Sequence, residues 1–210
     1  MLNNMNPFHV FLHPKRVVQA GYDHPNPVNG ALLVLLPSVL FALLIVLLGL
    51  SLRIDYVFEL AKTILRWIVA GIALYLALLV FKGGEAKGKF LGVLYNLSLL
   101  RLFILVNFGL LLVVGFVVTP DLFYTVQELN AQQSVSMDEA FAALDQVEVA
   151  DGVIPLVLSL AFMLATAAFF VLMVYVLYQV VALAGEASTF KNVLVLFVAL
   201  LINFGVTTLI

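Results

Sequence analysis

The sequence contains no cysteine and few charged residues, and both shortages narrow the range of possible functions. Without cysteine the chain forms no disulfide, no thiolate metal site and no cysteine nucleophile. A soluble domain carries roughly 25% charged residues. This chain has only 10% charged residues but 64% hydrophobic residues, so it cannot cover a water-facing surface with charge. No basic tract of the kind that binds nucleic acid is present either.

Enzyme signatures are also missing from the sequence. It contains no His-Glu-x-x-His, no Gly-x-Ser-x-Gly and no phosphate-binding loop. No aspartate lies deep within an apolar run, which argues against an aspartyl intramembrane protease. We therefore expect a non-enzymatic protein with no cofactor and no metal site.

Long apolar runs are what the chain has in excess. Runs of about 20 residues can cross a hydrocarbon core about 30 Å thick. They predict an all-α fold: a polytopic membrane helix bundle of five transmembrane helices in residues 30–210, preceded by a polar cytoplasmic segment, 1–29. The predicted spans are residues 30–52, 57–81, 91–118, 153–184 and 190–210.

The distribution of lysine and arginine predicts the orientation of the bundle, because short cytoplasmic loops are enriched in these residues. Arg53 is alone on one side of the predicted topology, and the loop 119–152 on that side has seven acidic and no basic residues. We therefore place the N-terminus in the cytoplasm and the C-terminus outside. The basic residues on the N-terminal side are Lys15, Arg16, Lys82, Lys87, Lys89 and Lys191.

Short amphipathic helices are predicted on both sides of the membrane. Residues 14–20 form a surface helix in which Val17 and Val18 touch the acyl boundary. The acidic outer loop is expected to form two more, which rest on the outer mouth of the bundle. The candidate contacts to lipid headgroups are Lys15, Arg16, Lys87 and Lys89.

Two parts of the chain resemble each other. Residues 84–86 read Gly-Glu-Ala, as do residues 185–187, and the span after each contains Asn-Phe-Gly, at 107–109 and 203–205. We interpret spans two–three and four–five as parallel repeats of one helical hairpin.

Polar residues within spans are candidate functional residues because charge is costly in the membrane. Glu59, Lys62 and Arg66 are three and four residues apart, and therefore share one face of the second span. One interpretation is a Glu59–Lys62 pair with Arg66 reaching the outer headgroups. The other is a water-filled vestibule for an anionic ligand.

The third span contains further polar candidates. Arg101 lies about ten residues into it and could reach inward to phosphate, cap carbonyls of a neighbouring helix or bind a lipid headgroup. For Asn96, Asn107 and, in the fifth span, Asn203, hydrogen bonds between helices are favoured over substrate contacts.

Two segments resemble the Yip family of five-span, Rab-interacting membrane proteins and their prokaryotic relatives. Residues 11–16, Phe-Leu-His-Pro-Lys-Arg, resemble the lead into the first span. Residues 88–98 resemble the glycine-phenylalanine start and Tyr-x-x-Ser element of the third. The eukaryotic Asp-Leu-x-Gly-Pro motif is missing, so we expect a prokaryotic plasma membrane and do not carry over binding to a Rab-type GTPase.

The resemblance implies a scaffold, adaptor or membrane-organising protein whose partners are the bilayer and either other membrane proteins or further copies of itself. For such a protein we expect a closed bundle filled by Leu, Ala and Phe. A small transporter or channel is the alternative, and for it we expect a polar cavity near Arg66 or Arg101. A lipid-binding protein is the third possibility.

Overall fold

The computed structural model describes residues 6–47, 55–119 and 153–207, and every regular element among them is helical. The all-α prediction is therefore confirmed for this part of the chain. The predicted helices of the outer loop lie outside it. The seven α-helices within these ranges are α1 (Pro14–Asp23), α2 (Pro27–Leu47), α3 (Asp55–Lys82), α4 (Phe90–Ser98), α5 (Leu100–Val118), α6 (Val153–Leu183) and α7 (Thr189–Thr207).

Four stretches of helix are long and apolar enough to cross a membrane. They are Pro27–Leu44, Tyr56–Ala86, Phe90–Gly115 and Val153–Leu183. The apolar part of α7, Thr189–Ile202, is shorter, and at 1.5 Å per residue it extends about 21 Å. The chain thus has the helices of a membrane bundle, and the fifth span remains a prediction.

Among the described residues, buried side chains come from the N-terminal segment 6–23, the first half of α2, the middle and end of α3, α4, the first turns of α5 and α7, and the last turns of α6. They reach the middle of the bundle at Trp67 but are concentrated at one end. We call this the N-terminal end and the opposite end the distal end. Toward the distal end, none of the side chains whose burial the structure describes is buried. Side chains with no exposed surface at the N-terminal end include Val10, Val18, Leu78, Val93, Val180 and Val195.

The N-terminal segment is part of this core, and the prediction that Val17 and Val18 touch acyl chains is wrong. Their side chains are 2% and 0% exposed, because α1 packs against α4 and α6. The Tyr22 hydroxyl donates a hydrogen bond to the Val180 carbonyl oxygen over 2.6 Å. The apolar face of α1 is thus covered by protein, whereas Lys15 and Arg16 on its other face are exposed.

Two glycines allow α1 to approach α4 closely. A Cβ atom added to Gly21 would lie 2.2 Å from Oδ1 of Asn96, and one added to Gly92 would lie 2.5 Å from Cδ1 of Tyr22. At this crossing the Asn96 side-chain amide donates to the Val18 carbonyl oxygen over 3.1 Å. Close packing and a buried hydrogen bond therefore fix the position of α1.

The third predicted span is broken at Leu99, between α4 and α5. Ser98 Oγ donates to the Tyr95 carbonyl over 2.6 Å, and Nε1 of Trp67 donates to the Leu94 carbonyl over 2.9 Å. Side-chain donors thus bond carbonyls near the break that regular helix would pair with backbone N–H groups. The break lies two residues before Arg101.

Candidate functional site

Arg66 and Arg101 both lie near the middle of their spans, on helices that run in opposite directions. Arg66 is eleven residues from the start of α3, and Arg101 is eleven residues from the start of α4. At 1.5 Å per residue each lies about 17 Å along its span. This is near the middle of a hydrocarbon core about 30 Å thick.

Both arginines line one cavity of about 290 Å³ between the helices, which opens to the surface beside the exposed side chains of Ile104 and Leu200. We call it the central cavity. Helices α3 to α7 all contribute to its wall. Apart from the two guanidinium groups and the indole of Trp67, the wall is aliphatic or thioether, with Leu74, Leu100 and Met173 as examples. None of its described wall residues is a carboxylate.

Among the described residues, positive charges near the central cavity outnumber negative ones. One carboxylate oxygen of Glu59 lies 3.3 Å from Nζ of Lys62, so the predicted pair is present, and the other lies 3.8 Å from Arg66. Nε of Arg66 is buried without a hydrogen-bond acceptor among the described residues. Arg101 makes no hydrogen bond or ion pair with any described residue. These three cations and one carboxylate carry a net charge of +2.

A second cavity, of about 370 Å³, meets the first at Arg101. We call it the distal cavity, since it lies between α2, α3 and α5 on the distal side. Arg101 and Ile104 line both cavities. Unlike the central cavity, the distal one has several polar side chains: Ser38, Tyr56, Glu59 and Thr63.

The asparagines form the contacts between helical elements that the sequence favoured. Asn107 Oδ1 accepts a hydrogen bond from the Thr166 hydroxyl on α6 over 2.8 Å. The amide of Asn96 bonds α1, as described above. The side chain of Asn203 lies outside the described part of the chain. None of these contacts brings an asparagine into the central cavity.

Lys82 makes a contact between helices that the sequence does not predict. Its side chain is 8% exposed, and Nζ donates to the carbonyl oxygens of Val181 and Gly185 over 2.6 and 2.7 Å. Lys89 Nζ bonds the Ala184 carbonyl over 2.8 Å. Two lysines thus satisfy carbonyls at the C-terminal end of α6, where the helix dipole favours cations. The position of Lys82 at a helix end before two glycines was the available signal.

The two Gly-Glu-Ala turns contact each other at this end. The carboxylate of Glu85, in the first turn, accepts a hydrogen bond from the backbone N–H of Glu186, in the second. Lys87 is exposed, whereas Lys89 is partly buried by its bond to α6. Of the two, Lys87 therefore retains the more open side chain for a lipid headgroup. The interpretation of the two hairpins as structural repeats remains a prediction.

The apolar helices and the central cavity define a helical membrane protein with two basic side chains, Arg66 and Arg101, near the middle of their spans. Comparison with known proteins gives no narrower class, since no family model, curated protein or solved structure matches the chain. The chemistry of the cavity is therefore the basis for a function.

Proposed function

We propose that this protein is a non-enzymatic membrane protein that binds a small anionic amphiphile, its anionic group between Arg66 and Arg101 and its apolar body in the central cavity. The observation that carries the proposal is that two arginine side chains line one apolar cavity whose described wall residues include no carboxylate.

The charge supports an anionic ligand. Arginine near the middle of a bilayer is costly and is normally paired. Glu59 is shared with Lys62 and is about half exposed, so it compensates Arg66 only weakly and does not line the central cavity. A carboxylate or phosphate would accept hydrogen bonds from both guanidinium groups, including the buried Nε of Arg66.

The wall supports an amphiphile over an inorganic ion. A channel replaces the hydration shell of its ion with rings of carbonyls or charged groups, and the central cavity offers two arginines among apolar side chains. Its 290 Å³ is close to the lower end of small-molecule sites, roughly 300–1,000 Å³. An apolar body of a few carbon atoms with one anionic group matches such a space.

The scaffold or adaptor role implied by the Yip resemblance remains a prediction, as do the cytoplasmic N-terminus and the prokaryotic plasma membrane. That role predicts a closed, filled bundle. The cavity at Arg66 and Arg101 favours the basic intramembrane site instead.

Equilibrium binding of radiolabelled octanoate to the protein in nanodiscs tests the proposal, with octanol as the neutral competitor. We expect octanoate to bind and octanol to compete poorly. Arg101→Gln and Arg66→Gln should each weaken binding about tenfold or more, because a hydrogen bond to a charged group contributes about 1.5–3 kcal/mol. Inorganic phosphate should compete weakly, since it fills none of the apolar wall.

Arg16→Gln is the matched control, because Arg16 is an exposed arginine on α1 and should leave octanoate affinity unchanged. Arg101→Lys keeps the charge and should retain part of the affinity, which separates loss of the cation from loss of the fold. Equal binding of octanoate and octanol, or unchanged affinity in both glutamine variants, would show the proposal to be wrong.

A further inference from the structure

We propose, as an extension of the proposed function, that the ligand reaches the two arginines from the distal end only, through the distal cavity. Arg101 would then be the first cation that the anionic group meets.

The distal cavity lies directly beside the central cavity. Arg101 and Ile104 belong to both walls, so a ligand in the distal cavity is already in contact with Arg101. The polar side chains of the distal cavity, including Ser38 and Thr63, suit a water-filled approach. The apolar wall of the central cavity suits the final position of an apolar body.

Packed side chains separate the central cavity from the N-terminal end. A cavity of about 780 Å³ opens at that end between α1 and the start of α2, but it shares no described wall residue with the central or the distal cavity. Leu78, Val176 and Val180 at this end have no exposed surface, and α1 packs across α4 and α6. Lys82 fastens the end of α3 to the end of α6. Toward the distal end, by contrast, none of the side chains whose burial is described is buried.

The charged side chains along the route also favour entry of an anion from the distal cavity. Glu59 lines the distal cavity and lies 3.8 Å from Arg66. An anion that arrives at Arg101 can take over Arg66 from this carboxylate and leave Glu59 with Lys62, 3.3 Å away. The ligand's negative charge thus replaces that of Glu59 beside Arg66, and the displaced Glu59 carboxylate is already about half exposed.

Single cysteines provide the test, because the native chain contains none. Ser38→Cys places a thiol in the distal cavity and Ala70→Cys one in the central cavity. Lys87→Cys, in an exposed turn, reports the N-terminal end, and Ala77→Cys, 3% exposed, is the buried control. Each variant is treated, in oriented membrane vesicles, with a charged, membrane-impermeant methanethiosulfonate reagent from either side.

We expect Ser38→Cys and Ala70→Cys to react from the side opposite to the one that labels Lys87→Cys. Both should react about tenfold or more faster than Ala77→Cys, since only a hydrated thiol ionises readily. Reaction from the same side as Lys87→Cys would overturn the proposal. The proposal would also be overturned if neither variant reacted from either side while both reacted after unfolding in SDS. The distal cavity would then face lipid.

Octanoate separates this proposal from the proposed function. It should slow the labelling of Ala70→Cys, and it should fail to do so when Arg101→Gln is added. Labelling from the distal side without protection by octanoate would support the access route and refute the anionic ligand. Protection by octanoate together with labelling from the N-terminal side would support the anionic ligand and refute the access route.

Discussion

Replacing Gly21 with alanine tests whether the N-terminal helix belongs to the bundle core. The new Cβ would lie 2.2 Å from Oδ1 and 2.9 Å from Cγ of Asn96, and 2.8 Å from Cδ1 of Tyr95. Asn96 cannot turn away at no cost, because it has no exposed surface and its amide bonds the Val18 carbonyl. Either this hydrogen bond or the packing of α1 must be given up.

The size of the effect follows from three contributions. Overpacking a buried contact costs about 1–3 kcal/mol, and leaving a buried polar group unpaired costs a similar amount. These two costs are alternatives, because only one of the two contacts must be given up. Alanine is favoured over glycine in a helix interior by about 1 kcal/mol, but Gly21 lies in the last turn of α1, so this gain offsets little of the loss. We therefore expect α1 to be less stably docked by about 1–3 kcal/mol, a change of about 5- to 150-fold in its opening equilibrium.

Hydrogen–deuterium exchange of the amides in α1, in detergent micelles or nanodiscs, measures this opening. Gly21→Ala should speed their exchange by that factor. Gly84→Ala is the matched control: it lies in an exposed turn, and a Cβ there would have no neighbour within 4 Å. Unchanged protection of α1 in Gly21→Ala would refute the docking of the N-terminal segment.

Three further predictions concern single side chains. Lys82→Met should lower the thermal unfolding temperature well below that of Lys87→Met, because each charged hydrogen bond to α6 contributes about 1.5–3 kcal/mol; equal temperatures would contradict the role of Lys82. Glu59→Gln should tighten octanoate binding up to about fivefold, since an exposed ion pair is worth about 0.2–1 kcal/mol, and weaker binding would contradict its competition for Arg66. Burial raises the pKa of Tyr22, so the folded state holds the phenolic proton more tightly than the unfolded chain. Protection of α1 should therefore persist below about pH 10 and fall above it, and Tyr22→Phe should remove this alkaline loss.

The positions of the helices follow from the sequence because apolar runs determine them. The helices that correspond to the five predicted spans begin within three residues of the predicted starts. The spacing of Glu59 and Lys62 likewise predicts their contact, since both lie on one helix face. Local patterns of this kind need no knowledge of neighbouring helices.

Contacts between distant segments could not be derived in this way. The apolar face of α1 suits a lipid surface as well as a protein groove, and only the glycines at its crossing with α4 distinguish the two. In the sequence Lys82 is one of several basic residues on the N-terminal side. In the structure it bonds two carbonyl groups about 100 residues further along the chain. The meeting of Arg66 and Arg101 in one cavity likewise depends on how α3 packs against α4, which leads directly into α5.

Photo-crosslinking tests the central claim most directly. An octanoate that carries a diazirine at its apolar end is bound to the protein, irradiated, and located by mass spectrometry of the digested chain. We predict that crosslinks concentrate on wall residues of the central cavity, such as Met173 and Leu177, and that they are lost in Arg101→Gln. Crosslinks confined to exposed apolar residues such as Val80, and unchanged in that variant, would contradict a binding site between the two arginines.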